Sequence, residues 1–299
     1  MSCILSIGNF DGVHLGHREL LRGMVSLAKS LQLPSVVITY TDHPAFVLNK
    51  RPRPLLLTPS SRKAQLLKEL GVDQVRLIPF TQEFARTSAA DFLKGFLIPE
   101  YHPHTIVVGY DSHFGHAREG TLAFLKQHAS IYGYRCRYQK PFMDDGSVVS
   151  SSRIRASIKE GRLEEANRML GTPYKLYGKV VGGQGLGRGL GFPTANLGLD
   201  DPHQLVPRAG VYLSRTLLSG QAFFGLTNIG TSPTLKHTDE TVVETYMLDY
   251  DKEIYGAALE LELLSYLRPE ETFDSVEALK LAMRSDLSRA RAMIGGMPE

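Results

Sequence analysis

The sequence predicts two halves of different construction: a parallel α/β sheet with helices on both faces, then an antiparallel β-barrel closed by a C-terminal helix. Three observations carry this. Apolar strand-like runs alternate with helical patterns through the first half. Near "GTPYKLYG" at 171–178, Gly and Pro interrupt the chain, and short alternating strands follow with no helices between them. The last long segment, "SVEALKLAMRSDLSRARAMI", is apolar on one helical face and charged on the other. At 299 residues the chain is long for one core, so two domains are expected, 1–171 and 172–299.

The elements follow in order. "CILSI" at 3–7 is a buried strand, and "RELLRGMVSLAKSL" at 18–31 is an amphipathic helix. "SVVITY", "QVRLIPF", "HTIVVGY" and "YRCRYQKPF" are the next strands, with helices expected over 61–70, 88–98 and 119–130. "SSSRIRASIKEGRLEEANRML" is a loop entering a helix. In the second half, "YKLYGKVVGG", "GVYLSRTLL", "QAFFGLTNIG", "VVETYMLDY" and "ALELELLSYL" alternate as strands. The closing helix should bury Val276, Leu279, Ala282, Met283 and Leu287.

Composition narrows the function. With 42% apolar and 22% charged residues the chain is ordinary for a globular protein, and it holds no apolar run long enough to span a bilayer. No secretory signal pattern opens it. Cys3 and Cys136 have no metal-type spacing, which fits a reducing compartment, most simply the cytoplasm. A formal charge of +3 suits phosphorylated small-molecule substrates and argues against a dedicated nucleic-acid binder. No membrane partner is expected, and the oligomeric state is left open.

The chemistry concentrates in a few stretches. "GNFDGVHLGH" at 8–17 places His14 and His17 in a strand-to-helix turn, where helix N-termini favour anions. Two imidazoles there can donate to phosphate oxygens in nucleotidyl transfer, and Gly16 lets the backbone approach the nucleotide. The alternative is a plain helix cap. "SSSRIR" at 150–155 offers hydroxyls, backbone amides and two arginines as a second anion cradle, or else an N-cap with solvated arginines. "GGQGLGRGLGFPTAN" at 182–196 matches neither common glycine-rich nucleotide motif, yet Gly185, Gly187 and Gly191 allow a backbone that wraps phosphates. The alternative there is a flexible hairpin loop. Thr194 and Asn196 fall on one face of an extended segment and offer hard oxygen ligands for Mg²⁺ shared with ATP. Glu244, between Val243 and Thr245, is the best general-base candidate, with a solvated strand carboxylate as the alternative.

At these residues the sequence resembles the bacterial bifunctional riboflavin kinase/FAD synthetases over nearly its whole length. The first half carries the resemblance in "GNFDGVHLGH", "DHP" at 42–44, "VVGYDSHFG" at 107–115 and "SSSRIR". The second carries it in "GRGLGFPTANL", "GVY" at 210–212, "GLTNIGTSPT" at 225–234, "VETYMLDYDKEIYG" at 243–256 and "YLRPEETF" at 266–273. The resemblance implies a Rossmann-like nucleotidyltransferase fold for the first half and a six-stranded riboflavin-kinase barrel for the second. It implies that His14 and His17 contact ATP phosphates and that Arg155 holds the triphosphate. Gly8, Asn9, Phe10, Asp11, Gly16, Asp111 and Ser152 join them as nucleotide-binding positions. Thr194 and Asn196 match the Mg²⁺–ATP motif and Glu244 the catalytic base. His43, Asn228 and Arg268 fall in motifs near the flavin.

The implied activity is ATP-dependent phosphorylation of riboflavin to FMN, then adenylylation of FMN to FAD with release of pyrophosphate. Two departures stand out, both in the first half. The family's "GxDFxFG" has an aromatic and then a basic residue after the aspartate, whereas Asp111 is followed by Ser112 and His113. "TYTDHP" lacks the proline that often precedes His43. One rival reading is another cytoplasmic nucleotidyltransferase with a regulatory flavin-binding barrel. The other is a non-catalytic nucleic-acid-binding barrel protein, which the low net charge disfavours.

Overall fold

The computed structural model describes residues 2–48, 55–183, 192–231 and 241–296. The chain divides into two compact units, Met1–Ser151 and Ser152–Glu299.

The first unit runs β1 (Cys3–Ile7), α1 (Leu15–Leu31), β2 (Ser35–Tyr40), the short α2 (Pro44–Val47), α3 (Ser60–Glu69) and β3 (Gln74–Ile78). A 3-10 turn (Phe84–Arg86) leads to α4 (Ala89–Phe92), which continues through a π-turn (Leu93–Leu97) into α5 (Ile98–Tyr101). The π-turn falls where Pro99 lacks the N–H that would reach back along the helix. Then come β4 (Pro103–Val108), α6 (Leu122–Tyr132), β5 (Arg135–Tyr138) and a small hairpin, β6 (Met143–Asp144) with β7 (Ser147–Val148), which the sequence pattern did not announce.

The sheet is wholly parallel, in the order β3-β2-β1-β4-β5. Alternation sorts its side chains. Ile4, Val37 and Val107 pack under Leu20, Leu21, Met24, Val25 and Ala28 of α1. Leu5, Ile38, Ile106 and Val108 face Phe92, Leu93, Leu97 and Leu125 on the other side. The edge strands carry exposed Arg76, Arg135 and Arg137, which discourage further strand pairing. From β1 the chain winds outward through β2 and β3, then returns to place β4 on the other side of β1. The crevice beyond the carboxyl ends of β1 and β4 is therefore a topological switch point, where such sheets take ligands.

The second unit opens with α7 (Ser151–Lys159), which begins at the border, and α8 (Leu163–Leu170). β8 (Tyr174–Val181), β9 (Thr194–Leu199), β10 (Gly210–Leu218), β11 (Gln221–Thr231), β12 (Thr241–Met247) and β13 (Ala258–Arg268) follow, then α9 (Val276–Gly295). The six strands close into an antiparallel barrel in the order β10-β11-β12-β9-β8-β13. β9 is the strand that periodicity alone did not distinguish. Fully buried Thr227 joins Ser214 and Thr245 by hydrogen bonds of 2.8 and 3.0 Å, so the hydroxyls inside the wall satisfy one another.

α9 covers the outer wall at Val211, Leu213 and Leu267 through Ala290, Met293 and Ile294. Of the expected stripe, Leu279, Ala282, Met283 and Leu287 are half-buried and only Val276, at the helix start, is exposed; Asp286 on the same face is buried and receives the Arg268 guanidinium. Packing also sets the unit border twenty residues before the change of sequence pattern at 171/172. The reason is Asn167 of α8, whose amide donates to Leu263 O at 2.9 Å and accepts from the Tyr174 N–H at 2.7 Å.

Candidate functional site

The segment linking β1 to α1 is a compressed turn. Phe10, Gly12 and Val13 all take positive φ (50°, 84° and 39°), and Phe10 and Val13 are buried. A non-glycine residue held there costs about 1–3 kcal/mol. Several bonds hold the turn. The Asp11 carboxylate accepts from the backbone N–H groups of Leu57 and Thr58 at 3.0 Å each, and its carbonyl accepts from Ser151 Oγ at 2.8 Å. Gly8 donates its N–H to Ile38 O, and Asn9 O accepts from Thr39 Oγ1. Asp11, expected at the nucleotide, thus has its carboxylate engaged in shaping the turn.

The turn delivers the two histidines together. His14 caps α1, its Nδ1 accepting from the His17 N–H at 3.4 Å, and the two rings stack with centroids 3.6 Å apart. Because Nδ1 accepts, the His14 proton resides on Nε2. Helix cap and paired imidazoles are therefore one arrangement, not alternatives. Gly16 lies against the His14 ring, where a Cβ would sit 3.3 Å from it. Phe10 meets the His17 ring edge-on at 5.2 Å. Burial, then the neighbouring His14 and Lys63, hold the His17 imidazolium well below the usual histidine range. His17 Nδ1 is buried with no hydrogen-bond partner among the described residues.

Lys63 of α3 is a site residue that sequence reasoning missed. Its side chain is 3% exposed and its ammonium donates to Tyr40 O, at the end of β2, at 3.0 Å. Burial pulls its pKa down to about 8 against the opposing pull of Asp11 and Asp42. No motif marked it, because a lysine in an amphipathic helix ordinarily faces water.

After β4, Asp111 is exposed, and Ser112 turns inward to accept the Gly109 N–H at 2.9 Å. Beside this loop lies a cavity of about 650 Å³ whose apolar wall includes Tyr40, Pro44, Phe80, Phe84, Phe92 and Phe114. The rings contact one another in series, with centroids 5.1–5.7 Å apart from Tyr40 through Phe80, Phe84 and Phe92 to Phe114. Ser112 does not line it, whereas His113 does. His43 caps α2, with Nδ1 accepting from the Ala45 N–H at 3.2 Å, and adjoins the lining residue Pro44.

On α7, Ser152 is exposed and Arg155 half-buried, while Arg153 is committed to Glu165 at 3.0 Å. Both Ser152 and Arg155 fall in the second unit.

The barrel assembles the other group of candidates by register. Glu244 of β12 pairs directly with Asn196 of β9 on one side and Asn228 of β11 on the other. Thr194 pairs with Tyr246, so Thr194, Asn196, Glu244 and Asn228 share the outer face of three adjacent strands. Desolvation raises the Glu244 carboxyl above the ordinary range. Gly183 is a second missed residue, since a Cβ there would run into the Asn196 amide. Phe192 packs edge-on against Tyr246 at 5.4 Å.

Arg268, expected near the flavin, is bonded to Asp286 of α9 at 2.8–3.1 Å, and these bonds raise its pKa further. Gly185, Gly187 and Gly191 lie outside the described residues. Among the described residues no three His, Cys, Asp or Glu side chains cluster as a metal site.

Comparison with known proteins adds two domain matches. A family model described as FAD synthetase matches residues 1–153, and one described as riboflavin kinase matches residues 170–294. A Listeria monocytogenes protein named bifunctional riboflavin kinase/FMN adenylyltransferase is 34% identical, over 99% of this chain and 94% of its own. A Pseudomonas fluorescens protein of the same name is 36% identical, over 97% and 93%. A crystal structure of a Streptococcus pneumoniae protein described as a macrolide-efflux protein superposes with a TM-score of 0.88. That protein is 31% identical, and the match covers 97% of this chain and 94% of that one. In the present chain no described helix is long and apolar enough to cross a membrane.

Proposed function

The chain belongs to the family of bifunctional riboflavin kinase/FMN adenylyltransferases, and we propose that the two sites described above divide its two reactions between them. Riboflavin is phosphorylated by ATP to FMN, and FMN is adenylylated by ATP to FAD with release of pyrophosphate. A merely regulatory barrel is disfavoured by the intact row of Asn196, Glu244 and Asn228.

The observation that carries the kinase assignment is that row. Glu244 accepts the proton of the ribityl 5′-hydroxyl as its oxygen attacks the γ-phosphorus and ADP leaves. Its raised proton affinity suits that task, because a base works best with a pKa near the working pH. Asn228, beside it, orients the flavin. Thr194 and Asn196 offer hard oxygen donors on the same face, a set that suits Mg²⁺ shared with ATP phosphates. Bound there, Mg²⁺ would neutralise phosphate charge. The phosphate-wrapping role of Gly185, Gly187 and Gly191 belongs to this reading too. Arg268 acts at one remove, fixing the end of β13 through Asp286.

In the first unit, an oxygen of the FMN phosphate attacks the α-phosphorus of ATP. That oxygen is already anionic, so no base is required. His14 presents Nε2–H, and His17, uncharged near neutrality, presents a single N–H, both as donors to phosphate oxygens. Gly8, Asn9, Phe10 and Gly16 shape the nucleotide side of the crevice, Asp11 braces it, and Asp111 follows β4 across the switch point. The functional border read from the sequence is 171/172, whereas packing groups residues 152–171, Ser152 and Arg155 among them, with the barrel. The aromatic cavity takes the isoalloxazine ring, with His43 at its margin. The free thiols of Cys3 and Cys136 accord with work in the cytoplasm.

The test is direct. Protein mixed with riboflavin, ATP and Mg²⁺ should yield FMN and then FAD on chromatography. Glu244→Gln should stop the first product, yet still make FAD from supplied FMN. A Glu244→Gln protein that phosphorylates riboflavin normally would sink the assignment.

A further inference from the structure

This chain handles two flavins that differ by one phosphate. An apolar slot alone separates them poorly, because it binds the shared ring in both, whereas a site built around a charged group rejects the molecule that lacks it. The aromatic cavity has such a second component. Arg86, His113, His116 and Arg118 line its rim, and among the described residues no Asp or Glu does. Resting on the reading of this cavity as the flavin site, the geometry points to the turn 113–118, with Arg118 as principal donor, as the element that recognises the flavin 5′-phosphate. It would thereby exclude riboflavin from adenylyl transfer.

The turn is built for the task. Gly115, Ala117 and Arg118 all adopt positive φ (73°, 51° and 64°). Two of these are non-glycine residues in a conformation that surroundings must impose, and such strain gathers at ligand clamps. The surroundings are visible. The His116 N–H donates to Thr87 O at 2.7 Å, and Phe114 and Gly120 exchange backbone bonds of 3.2 and 2.9 Å. His116 Nδ1 lies 3.2 Å from Ala85 O. The turn is thus fastened to segment 84–87, the facing part of the same cavity wall.

Arg118 is also held ready. Its guanidinium lies 3.0 Å from His113 Nδ1, and the same nitrogen lies 2.7 Å from Asp111 O. One nitrogen cannot serve both. In the tautomer with Nδ1 bare it accepts from Arg118; in the tautomer with the proton on Nδ1 it donates to Asp111 O, and the Arg118 N–H is released to an incoming anion. A phosphate can therefore take over the guanidinium while His113 keeps a hydrogen bond.

Steady-state FAD synthesis with varied FMN decides the matter, with riboflavin as competitor in a Glu244→Gln background that cannot consume it. Arg118→Met should raise KM for FMN roughly 10- to 100-fold, the worth of a charged hydrogen bond. It should leave the inhibition constant of riboflavin and the KM for ATP unchanged, and Arg118→Lys should restore part of the loss. The unchanged KM for ATP in adenylyl transfer reports that the first unit of Arg118→Met is folded. Phe84→Ala, which removes ring contact alone, should raise the FMN and riboflavin constants together. If Phe84→Ala does so but Arg118→Met leaves KM for FMN unchanged, or raises the riboflavin constant in step, the phosphate role is overturned while the cavity stands. If Phe84→Ala moves neither constant, the cavity is not the flavin site and the proposal falls with it.

Discussion

Glu244 shows what a single side chain contributes, because its neighbours make opposite predictions for activity and stability. Folding raises its proton affinity through desolvation. The folded chain therefore holds this proton more tightly than the unfolded one, and its contribution to stability is lost as pH rises through the raised pKa. Glu244→Gln should lower riboflavin phosphorylation by about 10²–10⁴ yet leave the thermal midpoint at pH 7 equal or higher. In the native enzyme the kinase rate should decline on acidification at a pH above the ordinary glutamate range. Thr194→Ala should differ in kind, its defect being partly relieved by raised Mg²⁺. Lys63 gives the complementary case. Its pKa is depressed from 10.5 to about 8, so the unfolded chain binds the extra proton between those values and stability rises with pH across that window. Lys63→Met should abolish this rise in urea unfolding at graded pH. Glu244, His14 and His17 could be proposed from the sequence because motif and spacing name them. Lys63 could not, because its role depends on burial between α3 and the end of β2, which no local pattern encodes.

At the scale of elements, function depends on short connections more than on long helices. β9 was hard to see, because "TANLGL" is brief, contains glycine and lacks a clean alternation. It nevertheless closes the barrel and brings Asn196 to Glu244. Gly183→Ala should push the Asn196 amide aside and cost the kinase on the order of 10²-fold, a typical penalty for a displaced positioning group. FAD formation from supplied FMN should be untouched. The turn after β1 depends in the same way on Asp11. Asp11→Ala leaves the buried N–H groups of Leu57 and Thr58 without their carboxylate, at about 1–3 kcal/mol each. Denaturant unfolding should report that loss, and adenylyl transfer should weaken before kinase activity does. The π-turn and the β6–β7 hairpin escaped sequence reading for a common reason: each is a local accommodation shorter than any window of periodicity.

For the whole molecule, two separate cores predict separable failures. His17→Ala should lower FAD synthesis by about 10²–10³ and leave FMN formation near normal. The fold class was legible because each half repeats its own pattern many times over. The packing border was not, because α7 and α8 read as the end of the helical half, yet α8 buries Leu163, Ala166, Met169 and Leu170. A fragment starting at residue 152 should therefore fold and phosphorylate riboflavin, and one starting at 172 should be less stable in thermal unfolding. Equal midpoints would show that α8 contributes little to the barrel.

The row of Asn196, Glu244 and Asn228 also bears on which genetic lesions this chain tolerates. Its geometry depends on three strands keeping step, and side chains on a strand alternate between faces. Adding or deleting one codon within β12 ahead of Glu244 would turn the carboxylate inward, toward the Thr227 hydroxyl of β11, and turn the interior Thr245 out. Single-codon insertions and deletions in β12 should thus be harsher than almost any substitution there. A paired insertion and deletion on the same side of Glu244 would restore its register and spare the kinase.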